Sequence, residues 1–433
     1  MDAAHLYNRS LIRLILINAL IKPIWILGID RWVQVEVGMA AYGSYFSVWG
    51  LTLTAGFLLD LGLTTFVQRE AASGQTKVDQ LPNLFWMKLL LLGFYFLFIA
   101  GIGWLYPSIS PMLLWGVAGI QALHSTYLYF RSWVTAAQDF VADVWFSVLD
   151  KVLLILVCFC WLMGFWSAIP VRMEAFIGWQ LLTLTLSLAV VVFYLFRTGV
   201  PLPGRFRLSF SWVRLAWPYA GIVLLMSALT RLDGYWLTSW HARGDWEAGR
   251  YAAGYRLLDA ANMFGYLVAS FLLPYLARNR SNQQAIRLAL ITARNGLVGL
   301  SVLVVLLTSL FAQPIAALLY PGSADWIASI LPTLLASMLG YSLIHVYGTA
   351  LTARGDLLLF QAVIGCFLLL HILLAAWWIP GSGALGVARA ALISQLGAGI
   401  TLMFLVHRRM NIPQPLTTHI VVIFTGSLLW ALN

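Results

Sequence analysis

Seven ionisable residues stand inside long apolar stretches of this 433-residue chain: Lys22, Asp60, Arg231, Asp233, Arg256, Asp259 and Arg389. A charge near the centre of a membrane helix costs roughly 2.5–3.5 kcal/mol on insertion scales, so a partner, a watery cavity or a function must keep it there. Arg256, Asp259 and Arg389 fall about 8–12 Å into their apolar runs at about 1.5 Å of rise per residue. Arg231 and Asp233 lie near the outer end of theirs, and Lys22 lies at or just past the middle. The middle and outer parts of the bilayer thus hold four cations against two carboxylates. A cavity lined this way attracts an anion such as a phosphate or pyrophosphate. The chemistry this set can do is the recognition and passage of charge rather than the making of bonds.

Each of these residues also has a plain structural use. Arg231, Asp233 and Arg256 are close enough to the interface to snorkel. Arg256 and Asp259, three apart, can pair on one helix face, although Asn262 extends the same stripe and a polar stripe on a membrane helix faces protein or water. Lys22 has Asn18 one turn earlier and Pro23 after it, which predicts a polar face beside a kink. Asp60 is either a gate or proton-linked carboxylate, or a helix-end cap. Tyr341, His345 and Thr349 share a helix face and read as packing. His124 and His371 have no ligand-spaced partner, so no metal site is expected. The three cysteines sit in apolar runs and offer no disulfide framework. Gly381-x-Gly383-x-x-Gly386 matches a dinucleotide fingerprint by letter but follows a proline and a helix instead of a strand, so no nucleotide cofactor is expected.

The elements that must position these residues are membrane helices. Hydrophobic residues make up 61% of the chain and charged residues 10%, with a mean hydropathy of +0.86. That leaves too little polar surface for a soluble globule. Scanning for runs of about 20 apolar residues gives thirteen segments: 11–29, 41–66, 83–106, 111–130, 146–168, 174–196, 212–239, 251–277, 287–311, 327–352, 358–379, 384–406 and 416–431. The fold class expected is all-α and polytopic. The net charge of +10 suggests nucleic acid until it is sorted by position. Eighteen of the twenty-six basic residues, among them Lys88, Arg131, Lys151 and Arg294, fall on alternate connections or helix ends that a cytoplasmic N-terminus would place inside. The outer connections hold only Arg31, Arg172, Arg243 and Arg250. This is the positive-inside pattern, and it replaces a nucleic-acid partner with an orientation.

The most basic connection, 197–214, divides the chain into a six-helix bundle over 1–200 and another over 201–410, with 411–433 as an extra C-terminal hydrophobic segment. Gly38-x4-Gly43 before the second helix echoes Gly249-x4-Gly254 before the eighth. An even number of helices per half makes the repeat parallel, and two such halves form a transporter architecture.

Three stretches carry a resemblance. Gly38-Met-Ala-Ala-Tyr-Gly-Ser-Tyr, then Phe57-Leu-Leu-Asp60-Leu-Gly62-Leu and Gln68-Arg69-Glu70, resemble the amino-terminal region of the Wzx-type polysaccharide repeat-unit flippases of the multidrug/oligosaccharidyl-lipid/polysaccharide (MOP) exporter superfamily. Glu247-Ala-Gly249-Arg-Tyr251-Ala-Ala-Gly-Tyr255-Arg256 resembles that family's entry to helix eight, and Gly383-Ala-Leu-Gly386-Val-Ala its entry to helix twelve. The resemblance implies a V-shaped pair of six-helix bundles in the bacterial cytoplasmic (inner) membrane. It implies transport of undecaprenyl-diphosphate-linked oligosaccharide to the outer leaflet by alternating access, with other polysaccharide-assembly proteins as partners beside membrane lipids. Arg256 carries over by motif position as a substrate-binding residue. Lys22, Arg231, Arg389, Asn18 and Asn262 are expected beside it on depth and polarity, and Asp60, Asp233 and Asp259 are expected to gate or couple an ion. The thirteenth segment is a departure from twelve helices.

Two other functions remain open at this point. A cation-coupled drug exporter of the same fold would favour an acidic cavity for cationic substrates. A polytopic glycosyltransferase or polymerase would use Asp30 and Glu36 as an acidic pair and would call for a large outer loop, which the spacing of the segments leaves no room for. No covalent chemistry is therefore expected.

Overall fold

The structure is a computed structural model that describes residues 13, 16–64, 67, 82–137, 139–199, 211–279 and 282–410. The described regular elements are all helical: α1 (16–23), a π-helical stretch Ile24–Asp30, α2 (Arg31–Val37), α3 (Met39–Ala55), α4 (Phe57–Asp60), α5 (Pro82–Leu105), α6 (Pro111–Ala136), α7 (Phe140–Phe146), α8 (Leu149–Leu162), α9 (Met173–Arg197), α10 (Ser211–Arg231), α11 (Asp233–Trp240), α12 (Gly244–Arg278), α13 (Gln283–Leu319), α14 (Ala324–Ala328), α15 (Leu331–Ala336), α16 (Met338–Arg354) and α17 (Leu357–Arg409). All of them but α2, which lies between the first two, overlap the first twelve segments read from the sequence. The thirteenth, 416–431, lies outside the described residues. Among the described residues, seven helical stretches are long and apolar enough to cross a membrane, which makes this an all-helical, multi-pass membrane protein.

Length alone shows that α17 is two spans. Its 53 residues would reach about 80 Å as one rod, against a bilayer core of about 30 Å. The break is at Gly383, with φ +52° and ψ −128°. The chain reverses there, so that His371 Nδ1 meets Ser394 Oγ at 2.7 Å. The glycine-rich letters at 381–386 thus build a helical hairpin, with Gly386 against the backbone of Trp378.

By packing, the chain divides into two compact units, Met1–Tyr235 and Trp236–Asn433. In unit 1, α6 packs on α3 and α9, α9 on α8, and α10 on α3 and α4. The division falls within α11, between Tyr235 and Trp236, with α10 in unit 1. Gly50 of α3 makes room for the carbonyl oxygen of Arg231 at the end of α10, which a β-carbon there would strike. In unit 2 the central element is α16, packed by α12, α13 and α17 and buried along almost its whole length. A helix apolar on all sides is stable only in such a place. Gly340 of α16 lies against the Gln395–Leu396 backbone of α17, and Gly399 returns the contact to Leu343 and the Gly340 carbonyl. Small residues allow this approach where lipid supplies no hydrophobic drive between helices.

The sequence echo between Gly38 and Gly249 has no counterpart in local geometry. Gly38 (φ +88°) ends α2 and breaks the chain before α3, whereas Gly249 is buried within the continuous α12.

Candidate functional site

Unit 1 gathers its charge around the first helix. Pro23 removes a backbone donor, and the seven residues that follow are π-helical, a departure that often marks a functional position. Lys22, just before this stretch, is exposed, and Lys151, Arg131 and Asp150 lie within its electrostatic reach. Arg131 of α6 holds Asp143 of α7 through Nε at 2.6 Å and Nη2 at 3.1 Å. Lys151 of α8 pairs with the buried Asp150 at 2.9 Å and lies over the Trp25 ring. The sequence reading gave Arg131 and Lys151 to the cytoplasmic charge plan, and their place beside Lys22 was missed because helix–helix proximity is invisible in spacing along the chain. Asn18 donates to Ser147 Oγ at 2.8 Å, which fastens α1 to the α7–α8 turn.

Asp60 is a cap. Its carboxylate accepts the Thr64 backbone N–H at 3.1 Å and the Thr64 hydroxyl, across a break where Leu61 (φ +41°) and Gly62 (φ +84°) are left-handed. Lys88, only 1% exposed, donates to the Leu59 carbonyl at 2.8 Å and to Ser125 Oγ at 2.6 Å. It closes the C-terminal end of α4, where a cation is favoured. Lys88 is therefore a structural cation rather than a marker of orientation. Asp233 is buried at the start of α11, and Arg231 is half-buried at the end of α10.

In unit 2 the stripe on α12 is built into the bundle at two of its three positions. Arg256, 5% exposed, donates to the Tyr320 hydroxyl at 2.8 Å. Asn262 Oδ1 meets His345 Nε2 of α16 at 3.1 Å; the imidazole packs so tightly on α12 that a β-carbon at Gly265 would lie 2.4 Å from its Cδ2. Asp259 between them is half-buried. Arg389, on the second limb of α17, has its Nε buried with no hydrogen-bond partner.

Two arginines counted as orientation charges belong to the interior. Arg294 of α13 is 1% exposed and donates to Asn295 Oδ1 at 2.9 and 3.1 Å. It also bonds Tyr347, whose hydroxyl meets His407 Nε2 at 3.0 Å. Arg250 is a buried clamp: Nε to the Trp326 carbonyl and Nη2 to Ser329 Oγ, both at 2.6 Å, and Nη1 to Glu247 at 3.2 Å. Glu247 in turn accepts the Ala384 N–H at 2.7 Å and so caps the second limb of α17. The only signal for either role was the position of Glu247 and Arg250 inside the helix-eight motif.

The acidic pair weighed for an enzyme is split between neighbours. Asp30 accepts the Tyr42 hydroxyl at 2.9 Å and Glu36 accepts Trp32 Nε1 at 3.2 Å. Among the described residues, no group of three His, Cys, Asp or Glu side chains is placed to hold a metal ion.

Neither a protein-family model nor a curated protein matches the sequence. Solved structures do match. An inward-facing multidrug resistance MATE family transporter of the MOP superfamily has 14% identity and a TM-score of 0.69, with 93% of this chain and 98% of that chain covered. A MOP superfamily transporter from Pyrococcus furiosus has 16% identity and a TM-score of 0.68, covering 93% and 95%. A Vibrio cholerae MATE transporter in a bent form has 17% identity and a TM-score of 0.60, covering 94% and 97%. At these identities the likeness is one of fold, and it extends over nearly the whole chain: the protein shares the all-helical fold of these transporters.

Proposed function

We propose that the protein is a flippase that carries a polyprenyl-diphosphate-linked oligosaccharide from the inner to the outer leaflet of a bacterial cytoplasmic membrane by alternating access. The observation that carries this reading is the surplus of cations within the helices. Lys22, Arg231, Arg256 and Arg389 lie on helices of one or other unit, and Lys22 is exposed beside a π-helical stretch. The prenyl tail stays in lipid while the head crosses, so the protein has to lower the desolvation cost of two phosphates and many hydroxyls. Fixed cations meet the first need, and amides such as Asn18 and Asn262 can exchange partners with hydroxyls. Asp233 and Asp259 are our candidates for ion coupling. Asp60 is already a cap.

Drug export on the same fold is the second reading, favoured by the multidrug resistance transporter among the structural neighbours. Cationic drugs call for an acidic surplus, and the surplus here is basic. Reverse polarity of the binding pocket in the Pyrococcus furiosus transporter suggests a different function for that protein, and charge sign is our criterion here as well. The test is deletion of the gene in its host, followed by separation of lipid-linked repeat units by leaflet. Accumulation on the cytoplasmic leaflet is expected, with Arg256→Ala and Lys22→Ala failing to restore export and Asp30→Asn and Glu36→Gln restoring it. Normal surface polysaccharide in the deletion strain would refute the reading.

A further inference from the structure

Between α3, α6, α8 and α9 of unit 1 lies a small polar cavity of about 50 Å³, lined by Gln121, His124, Asp150, Lys151, Gln180 and Thr183 among others. A water-sized sphere needs about 10–15 Å³ on this measure, so the space holds a few such spheres and no sugar. Most of its polar groups are already engaged. Thr183 donates to the Trp179 carbonyl at 2.9 Å, and the Gln180 amide bonds the Tyr45 hydroxyl at 3.0 Å. Gln121 differs: it is 5% exposed, and its Nε2 donor has no protein partner. An unmade bond of this kind is costly for a buried amide.

The surrounding charge has one sign in excess. Lys151, Lys22 and Arg131 all act electrostatically on His124, together with Asp150, and Arg131 is held by Asp143. Of these groups, Lys151 and Asp150 line the cavity. Lys151 gives one contact to Asp150, and an ammonium carries three donors. A site with spare donors, a positive balance and room for a few water-sized spheres selects a small anion over a cation or a phosphate.

We propose that this cavity binds a monatomic anion of the halide class, chloride being the abundant one, through the Gln121 amide and the Lys151 ammonium. The anion offsets the positive charge beside the cavity.

The test uses the full-length protein in nanodiscs, with sodium chloride or bromide replacing sodium gluconate at constant ionic strength. Ligand binding to the native state raises the unfolding midpoint in a saturable way, and a rise of several degrees is expected. Gln121→Leu should abolish the halide dependence while its midpoint in gluconate stays at or above that of the parent, since the substitution removes an unpartnered amide. Crystals grown with bromide should show anomalous density beside Gln121. A midpoint indifferent to halide, a dependence that survives Gln121→Leu, or bromide density only at other positions would each overturn the proposal.

Discussion

Replacing Glu247 by alanine should unfold unit 2 at a markedly lower temperature, and the size of the effect follows from its partners. The buried carboxylate takes the Ala384 N–H at 2.7 Å and Arg250 Nη1 at 3.2 Å. Removing one member of a buried ion pair costs about 3–5 kcal/mol, because the remaining charge is stranded. A backbone N–H left without an acceptor adds about 1–3 kcal/mol. Arg250 keeps the Trp326 carbonyl and Ser329, so these costs do not simply add, and we expect about 3–5 kcal/mol in all. At about 2–4 °C per kcal/mol for a unit of this size, the midpoint falls by on the order of 10 °C. Glu247→Gln retains an acceptor for Ala384 and loses only the charge, so its loss should be about half as large. In the double variant Glu247→Ala with Arg250→Leu, the stranded cation is gone, and the combined loss should fall short of the summed single losses by more than about 1 kcal/mol. The assay is fluorescence-detected unfolding of the parent, Glu247→Ala, Glu247→Gln, Arg250→Leu and the double variant in one detergent at one heating rate. Strict additivity, or a Glu247→Ala midpoint within about 2 °C of the parent, would refute the clamp.

Substitutions at three further positions probe other joints. Gly265→Ala drives a methyl group into the His345 ring, and overpacking of this kind should cost about 1–3 kcal/mol, read as a lower midpoint together with loss of the Asn262–His345 contact. Asp60→Ala removes the cap on Thr64 and should cost about 1 kcal/mol, whereas Asp60→Asn should cost only a fraction of that; equal midpoints for the two variants would show that the cap is not what Asp60 supplies. Lys88→Met should lower the midpoint by exposing the Leu59 carbonyl to an apolar interior, at about 1–3 kcal/mol, and an unchanged midpoint would return Lys88 to a role in orientation.

The helices were legible because length and hydropathy decide them: the described helices other than α2 overlap twelve of the thirteen apolar segments. The hairpin at Gly381–Gly386 was legible too, since Pro380 and two glycines mark a stop. What the sequence could not supply was pairing between helices. Lys88 reads as one more basic residue near a helix end until the carbonyl of Leu59, twenty-nine residues away, is found against it. Arg250 likewise reads as an outer-loop charge until Trp326 and Ser329 close around it. The fit of Gly50 to the Arg231 carbonyl is likewise a matter of shape that no charge run announces. Asp60 was half legible. Its type allowed a cap, but the left-handed Leu61–Gly62 turn that creates the need for one appears only in three dimensions.

The cations within the helices separate by what their donors already hold. Lys88, Arg131 and Arg250 spend their donors on named carbonyls, hydroxyls and carboxylates, so engaging a substrate would first break those bonds. Arg389 stands apart, with a guanidinium Nε that is buried and has no hydrogen-bond partner. Such a donor destabilises the resting protein by about 1–3 kcal/mol and is kept only if another state uses it. Arg389→Met should therefore leave the midpoint unchanged or raise it, since an apolar side chain of similar length can replace a buried charge at no loss, while export falls. Lys88→Met should instead lose stability and export together. A midpoint for Arg389→Met more than about 2 °C below the parent would show that its guanidinium is structural, and Arg389 would then have no claim to the substrate.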